Sequence, residues 1–301
     1  MLAQKTYQNQ QELTSVADKI RDICLLVKLR LNLLVVFSTA FGYLLAAGIS
    51  PDWASFWALT TGGFLVVGAA NGLNQVIERN SDKLMDRTRH RPVAQKRMSV
   101  FEASFISAVM GLVGVSLIGI LLNPLSGILA FVSLILYAFA YTPLKKVTPL
   151  AVFVGAFPGA LPPLIGYTAF TGELGLMGIL LFSIQFFWQF PHFWAIAWVM
   201  NDDYQKAGFR LLPLGENKNR TGAAQIVMFT IMLLPIGLLP AKFGFTGDIS
   251  AIIVTIAGVI FTLQTIKLYL KLDDSSARQL MFGSFFYLPL VLITLWLDMI
   301  I

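Results

Sequence analysis

The chain has 301 residues, 56% of them hydrophobic and only 13% charged, with a mean hydropathy of +0.73. A soluble domain carries about 25% charged residues, so this composition excludes a soluble globular protein and indicates an integral membrane one. The net charge of +6 could suit a nucleic-acid partner, but the cations are scattered over the ends of apolar segments, which argues against one.

Residues 1–22 hold three cations and three acids with no apolar run. They are neither a signal peptide nor an Arg-rich, acid-poor transit peptide, and read as a cytoplasmic N-terminal arm ahead of a 23–301 membrane domain. A span needs about 20 apolar residues. The rest of the chain divides into nine such stretches, at 23–48, 53–77, 100–122, 125–142, 150–170, 174–200, 221–241, 248–271 and 279–300. The expected fold is therefore an all-α, nine-span bundle in membrane lipid. With the N-terminus inside, almost every Lys and Arg falls in or beside the loops on one face, and only Lys242 lies on the other. The positive-inside rule then makes that face cytoplasmic, and a bacterial inner membrane is the expected location. The single cysteine, Cys24, excludes a disulfide framework and a Cys-based metal site.

The second span runs into Asn74-Gln-Val-Ile-Glu78-Arg-Asn-Ser-Asp82, followed by Asp86-Arg87-Thr-Arg89-His-Arg91-Pro92. Asn74, Glu78 and Asp82 recur every four residues, so on a helix they share a narrow arc of one face. Three oxygen-bearing side chains in that pattern suit Mg²⁺, which is often shared with substrate phosphates. Arg79, Arg87, Arg89 and Arg91 suit a phosphate anion. A solvated helix end could also carry such charges. Asn71 and Asn74, however, lie further up the stripe inside the span, where polar residues are costly and mark function.

The fourth span ends in Tyr141-Thr-Pro-Leu-Lys145-Lys146, two cations that either anchor the helix end or stand above an anion. The fifth span contains Pro158, Pro162 and Pro163 among small residues. These read equally as a packing kink or as a bend that widens a cavity. The sixth span closes with Pro191-His192-Phe-Trp194-Ala-Ile-Ala-Trp198 and then Asp202-Asp203-Tyr204-Gln-Lys206. The Asp202/Asp203 pair lies 120 residues after Asp82, a spacing that suggests a repeated four-helix unit. It could form the second wall of a diphosphate site, with Lys206 neutralising the departing charge. His192, with Trp188, Phe193, Trp194 and Trp198, reads either as a packed core histidine or as part of a flat aromatic pocket, where it could bind a metal or act as a base. A secondary transporter would also show polar residues in kinked helices, but near the bilayer midplane; these clusters sit at one face.

Together these residues resemble the UbiA superfamily of intramembrane prenyltransferases. Its first motif, NxxxDxxxD, corresponds here to Asn74, Glu78 and Asp82, with Glu in the middle place. His192 stands where the second motif usually opens with Asp. Both departures resemble the branch that modifies heme rather than the branches acting on quinone precursors. The Tyr141–Lys146 and Ala156–Pro163 runs match that branch too, whereas Leu29 stands where relatives usually have Pro. The resemblance implies farnesyl transfer from farnesyl diphosphate to the 2-vinyl group of heme B, with water addition, and a heme A synthase as a partner for the product. It further implies Mg²⁺ held by Asn74, Glu78, Asp82, Asp202 and Asp203. Arg87, Arg91, Lys145, Lys146 and Lys206 would stand on the diphosphate, and His192, Trp194 and Trp198 on the heme, with His192 also catalytic.

Overall fold

The structure, a computed structural model, describes residues 16–214 and 217–300; the expected arm therefore lies outside the described residues up to residue 15. A first helix, α1, occupies 16–26. It is followed by α2 (Leu29–Ala47), α3 (Trp53–Asp82), α4 (Val100–Leu121) and α5 (Pro124–Ile135). A π-helical segment, Leu136–Tyr141, then continues directly into α6 (Thr142–Leu144). The chain goes on through α7 (Ala151–Thr171), α8 (Leu176–Val199), the short α9 (Asn201–Lys206), α10 (Arg220–Ile231) with α11 (Leu233–Lys242), α12 (Asp248–Lys271) and α13 (Asp274–Ile300). Among the described residues, nine helices are long and apolar enough to cross a membrane, with α5 to α6 and α10 to α11 each counting as one. The protein is a multi-pass membrane protein.

Local chemistry sets the helix ends. Asp52 caps α3 by accepting the amides of Ala54 and Ser55, Ser99 caps α4 through Glu102 N–H, and Asn123 caps α5 with Pro124 in the first turn. Gly48 (φ 61°) and Gly172 (φ 76°) take the positive φ that ends α2 and α7.

Two boundaries differ from the sequence expectation. The second span continues five residues further, to Asp82, so Glu78 and Asp82 sit on the helix itself. The expected span 23–48 is instead broken at 27–28, and α2 begins at Leu29. Lys28 adopts a left-handed conformation there (φ 49°, ψ 58°), which costs a side-chain-bearing residue about 1–2 kcal/mol. Buried polar side chains of α3 hold the break open. Asn71 Nδ2 donates to Val27 O at 3.2 Å, and Gln75 Nε2 donates to Leu25 O at 2.8 Å and Leu26 O at 2.9 Å. Those carbonyls would otherwise be orphaned at the end of α1. Asn71, expected as part of the polar stripe, is thus committed to the α1–α2 break.

Around the bundle α3 packs on α4, α7 on α8 and α12 on α13, while α2 lies against α3, α7, α8 and α13 and closes the ring. The proline-rich α7 is the most enclosed span. Pro162 and Pro163 lack the N–H groups that would reach Pro158 O and Gly159 O. Ser133 Oγ donates to the first at 3.1 Å and Gln185 Nε2 to the second at 2.7 Å. A Cβ at Gly42 would collide with the Pro163 carbonyl, and one at Gly166 with the Thr39 carbonyl. The prolines therefore lie in a close α2–α7 contact, and the packing reading of this span is the one observed.

Candidate active site

At the end of α3, Asn74, Glu78 and Asp82 are almost completely buried and each faces a different cation. Lys28 Nζ, delivered by the α1–α2 break, donates to Asn74 Oδ1 at 2.8 Å. Lys145 Nζ, just past α6, donates to Glu78 Oε1 at 2.7 Å. Arg91, from the loop 83–99, straddles both Asp82 oxygens with one nitrogen, at 2.8 and 2.9 Å. Three cations against two carboxylates leave this cluster one positive charge in excess. Buried pairs of this kind contribute little net stability while intact, but removing one partner costs about 3–5 kcal/mol.

The π-helical segment sets the direction of the second wall. Thr142 Oγ1 donates to Tyr137 O at 2.8 Å and accepts from Asn74 Nδ2 at 3.2 Å. Tyr137 and Tyr141 have ring centroids 5.3 Å apart, and Lys145 Nζ lies 4.6 Å from the centre of the Tyr141 ring. Burial acts against the Lys145 charge, but Glu78 outweighs it and holds its pKa above the usual lysine value. Lys28 is the reverse case. Burial, then repulsion from Arg91 and Lys145, pushes its pKa well below the ordinary value.

The Asp202/Asp203 pair does not join the stripe directly. Asp203 accepts the backbone amides of Asp86 at 2.8 Å and Arg87 at 3.2 Å, tying α9 to the loop 83–99 across 117 and 116 residues. Partial burial would raise its pKa, but these two amides outweigh it and hold the carboxyl below the usual aspartate range. Lys206 Nζ bonds Asp86 Oδ2 at 2.6 Å and Asp203 Oδ1 at 3.4 Å, and the Arg87 guanidinium lies 5.9 Å from the centre of the Tyr204 ring. Asp202 and Lys146 are exposed. Arg210 N–H donates to Lys145 O at 2.9 Å, which brings the loop after α6 onto the same face. His90 lies away from the stripe, lining a cavity of about 450 Å³ with Asp18, Asp22 and Arg97.

The expected heme trio is divided between two faces of α8. His192 points to α13, where its Nδ1 is 2.7 Å from Ser284 Oγ. It stacks on Trp188 at 4.5 Å, with Phe193 and Phe285 edge-on at 5.2 Å each. Trp194 packs instead on Phe190 and Phe229 of α10, and Trp198 is sealed in the core. Two and six residues along a helix are turns of about 200° and 240°, so neither tryptophan can share the His192 face. Trp188, one turn before His192, is the aromatic that does.

Sequence reasoning missed Lys28 as a site residue because its place at a basic span end already explained it. The only sequence cue was its position beside a span opposite Asn71, Asn74 and Gln75. Ser284 carried no signal at all.

Among the described residues, no three His, Cys, Asp or Glu side chains converge to hold a metal ion alone. The donor set of Asn74, Glu78 and Asp82 is all oxygen, with two carboxylates. That fits Mg²⁺, which typically takes one or two carboxylates and shares substrate phosphates.

The UbiA prenyltransferase family model matches residues 35–289. A protein named protoheme IX farnesyltransferase from Cytophaga hutchinsonii is 46% identical over 275 residues, covering 91% of this chain and 96% of that protein. The fold is similar to a structure concerning digeranylgeranylglyceryl phosphate synthase, with a TM-score of 0.80 at 17% identity over 94% of this chain and 99% of that one. It also matches a UbiA homolog from Archaeoglobus fulgidus bound to GPP and Mg²⁺, with a TM-score of 0.68 at 14% identity over 91% of this chain and 99% of that one. The chain belongs to the UbiA prenyltransferase family.

Proposed function

We propose that this protein transfers the farnesyl group of farnesyl diphosphate to the 2-vinyl group of heme B. The C1–O bond to diphosphate breaks, C1 bonds to the outer vinyl carbon, and water adds to the inner carbon with loss of a proton. The products are heme O and diphosphate. The observation that carries this reading is the convergence of Lys28, Lys145 and Arg91, from three separate elements, on the buried Asn74–Glu78–Asp82 stripe. An excess of fixed positive charge in an apolar bundle suits a group that becomes an anion as its bond breaks. Such preorganised electrostatics commonly supply the largest catalytic term. Support for the acceptor comes from the name shared by the close relatives and from His192.

Asn74, Glu78 and Asp82 would hold Mg²⁺, which supplies Lewis-acid stabilisation of the departing diphosphate. Lys28, Lys145 and Arg91 turn from the stripe toward the anionic substrate and keep its diphosphate end at the helix terminus. Asp203 holds Asp86 and Arg87 in place through their amides, so the loop that carries Arg91 keeps its shape. Lys206, paired to Asp86, adds charge at the rim. The apolar helices keep water from the allylic centre. We place the N-terminus and these loops on the cytoplasmic side of a bacterial inner membrane, on the distribution of Lys and Arg. The heme product passes to a heme A synthase, a partner inferred from the resemblance alone.

The test is heme O formation by the full chain in membranes supplied with farnesyl diphosphate, heme B and Mg²⁺. The reading fails if no farnesylated heme forms although the protein is inserted and binds farnesyl diphosphate.

A further inference from the structure

We propose that Ser284 is a positioning residue that keeps the ring proton of His192 on Nδ1, leaving the Nε2 lone pair for the iron of the heme substrate. The inference rests on the heme reading above and assigns the chemistry that reading leaves open at His192.

The argument starts from a single hydroxyl hydrogen. Ser284 Oγ lies 2.6 Å from Met281 O, one turn back on α13, and 2.7 Å from His192 Nδ1 on α8. A carbonyl can only accept, so the hydroxyl hydrogen is spent on Met281 O. Oγ then presents a lone pair to Nδ1. Two lone pairs at that separation repel, whereas an Nδ1–H donor makes a good hydrogen bond. The ring is therefore the Nδ1–H form, and in an imidazole with one proton the lone pair is on Nε2.

The surroundings fix the ring as well as the tautomer. Trp188 Nε1 donates to the carbonyl of the same serine at 2.9 Å, so α8 holds Ser284 through two side chains. Trp188 also stacks on the imidazole with an interplanar angle of 18°. Ser284 is fully buried. Nε2 has no hydrogen-bond partner among the described residues, yet it is not among the sealed, unpartnered atoms such as Trp198 Nε1 and Tyr287 Oη. A fixed ring with one anchored nitrogen and one accessible nitrogen is the arrangement of a metal-ligating histidine, whose second nitrogen donates to a fixed acceptor. Helix–helix attachment alone would need the Nδ1 contact but no accessible Nε2.

The experiment uses the full chain in nanodiscs and heme B as the probe. The chain has only two histidines, His90 and His192, so ¹⁵N resonances of labelled histidine report the tautomer of the unmutated protein. Protonation at Nδ1 of His192 is expected; protonation at Nε2 overturns the proposal. In heme titrations, Ser284→Ala is expected to weaken binding about 10–100-fold and to shift the Soret band, with farnesyl diphosphate binding unchanged as the folding control. Ser284→Thr, which keeps the hydroxyl, restores both. If Ser284→Ala matches wild type in affinity and spectrum while His192→Ala loses both, the positioning role is wrong. If His192→Ala itself keeps the wild-type affinity and spectrum, the heme-ligand reading fails instead.

Discussion

Lys28 Nζ donates to Asn74 Oδ1 at 2.8 Å across 46 residues of sequence, a contact that exists only because the first membrane helix breaks one residue before its expected interior. The strained residue is also the one that delivers the charge. We expect Lys28→Ala to raise KM for farnesyl diphosphate by roughly tenfold or more, the range of about 1.5–3 kcal/mol for a hydrogen bond to a charged group, with KM for heme unchanged. Lys28→Arg keeps part of the affinity. Binding an anion favours the protonated lysine, and burial has lowered its pKa. Affinity for the diphosphate therefore falls as pH rises through that lowered value, before an ordinary lysine discharges near about 10.4. Isothermal titration at several pH values checks both statements; a pH-independent affinity in the alkaline range excludes the second.

Asp82 carries its charge with no exposed surface and with Arg91 as its ion-pair partner. Asp82→Asn keeps the shape and removes the charge. It is expected to lower kcat by about 10²–10³-fold, the scale of losing one preorganised electrostatic group, with membrane insertion and helix content retained. Asp82→Ala additionally strands Arg91 and should lower thermal stability as well. Equal turnover by Asp82→Asn and wild type would remove Asp82 from the site.

Removing divalent metal with a chelator is expected to abolish turnover without unfolding the protein. Glu78 and Asp82 already have Lys145 and Arg91 as counter-charges, so the fold does not rely on an ion. Circular dichroism should be unchanged with the chelator, and added Mg²⁺ should restore activity. Turnover that persists after exhaustive chelation would rule out the metal.

The contact of Asp203 with the Asp86 and Arg87 amides gives an acid-sensitive clamp. Its folded pKa is lowered, so its stabilising contribution is complete above the ordinary aspartate value of about 3.9. That contribution is lost as pH falls from there through the lower folded pKa. Amide exchange at Asp86 and Arg87 should therefore accelerate, relative to other amides, in that acid window. Asp203→Ala should show the faster exchange already at neutral pH; unchanged protection in the variant would refute the clamp.

Close approach of α2 and α7 predicts a steric asymmetry among glycines. Gly166→Ala places a Cβ against the Thr39 carbonyl, whereas Gly63→Ala meets nothing within 4 Å. The first should destabilise by about 1–3 kcal/mol. The second should be neutral or slightly stabilising, since Ala is the better helix former by up to about 1 kcal/mol. Thermal denaturation in detergent distinguishes them, and equal melting temperatures would contradict the packing described.

The spans and the acidic stripe were readable from the sequence because hydropathy and the four-residue spacing of Asn74, Glu78 and Asp82 are properties of consecutive residues. The break at Lys28 was not readable. Val27-Lys28-Leu29 contains neither glycine nor proline, and the break depends on Asn71 and Gln75 reaching the freed carbonyls from another helix. Asp203 illustrates the same limit. Its sequence neighbours suggest a metal ligand, while its hydrogen bonds go to amides 116 and 117 residues away. The faces of α8 could have been separated by periodicity alone, since Trp188 and His192 are one turn apart and Trp194 is not. What periodicity could not supply was the serine on α13 that meets the histidine.

The π-helical stretch at Leu136–Tyr141 makes chain length, rather than composition, the guarded property of that segment. A π turn holds one residue more than an α turn. Excising a single residue there would let the helix relax to regular geometry, and everything beyond it would rotate by about 100° and retract by about 1.5 Å. Thr142 would swing off Asn74, and Lys145 off Glu78, although every side chain in the site was still present. Substitutions within 136–141 are thus a question of fit. A one-residue deletion acts as a phase error, felt at a cation that lies four residues after the segment ends.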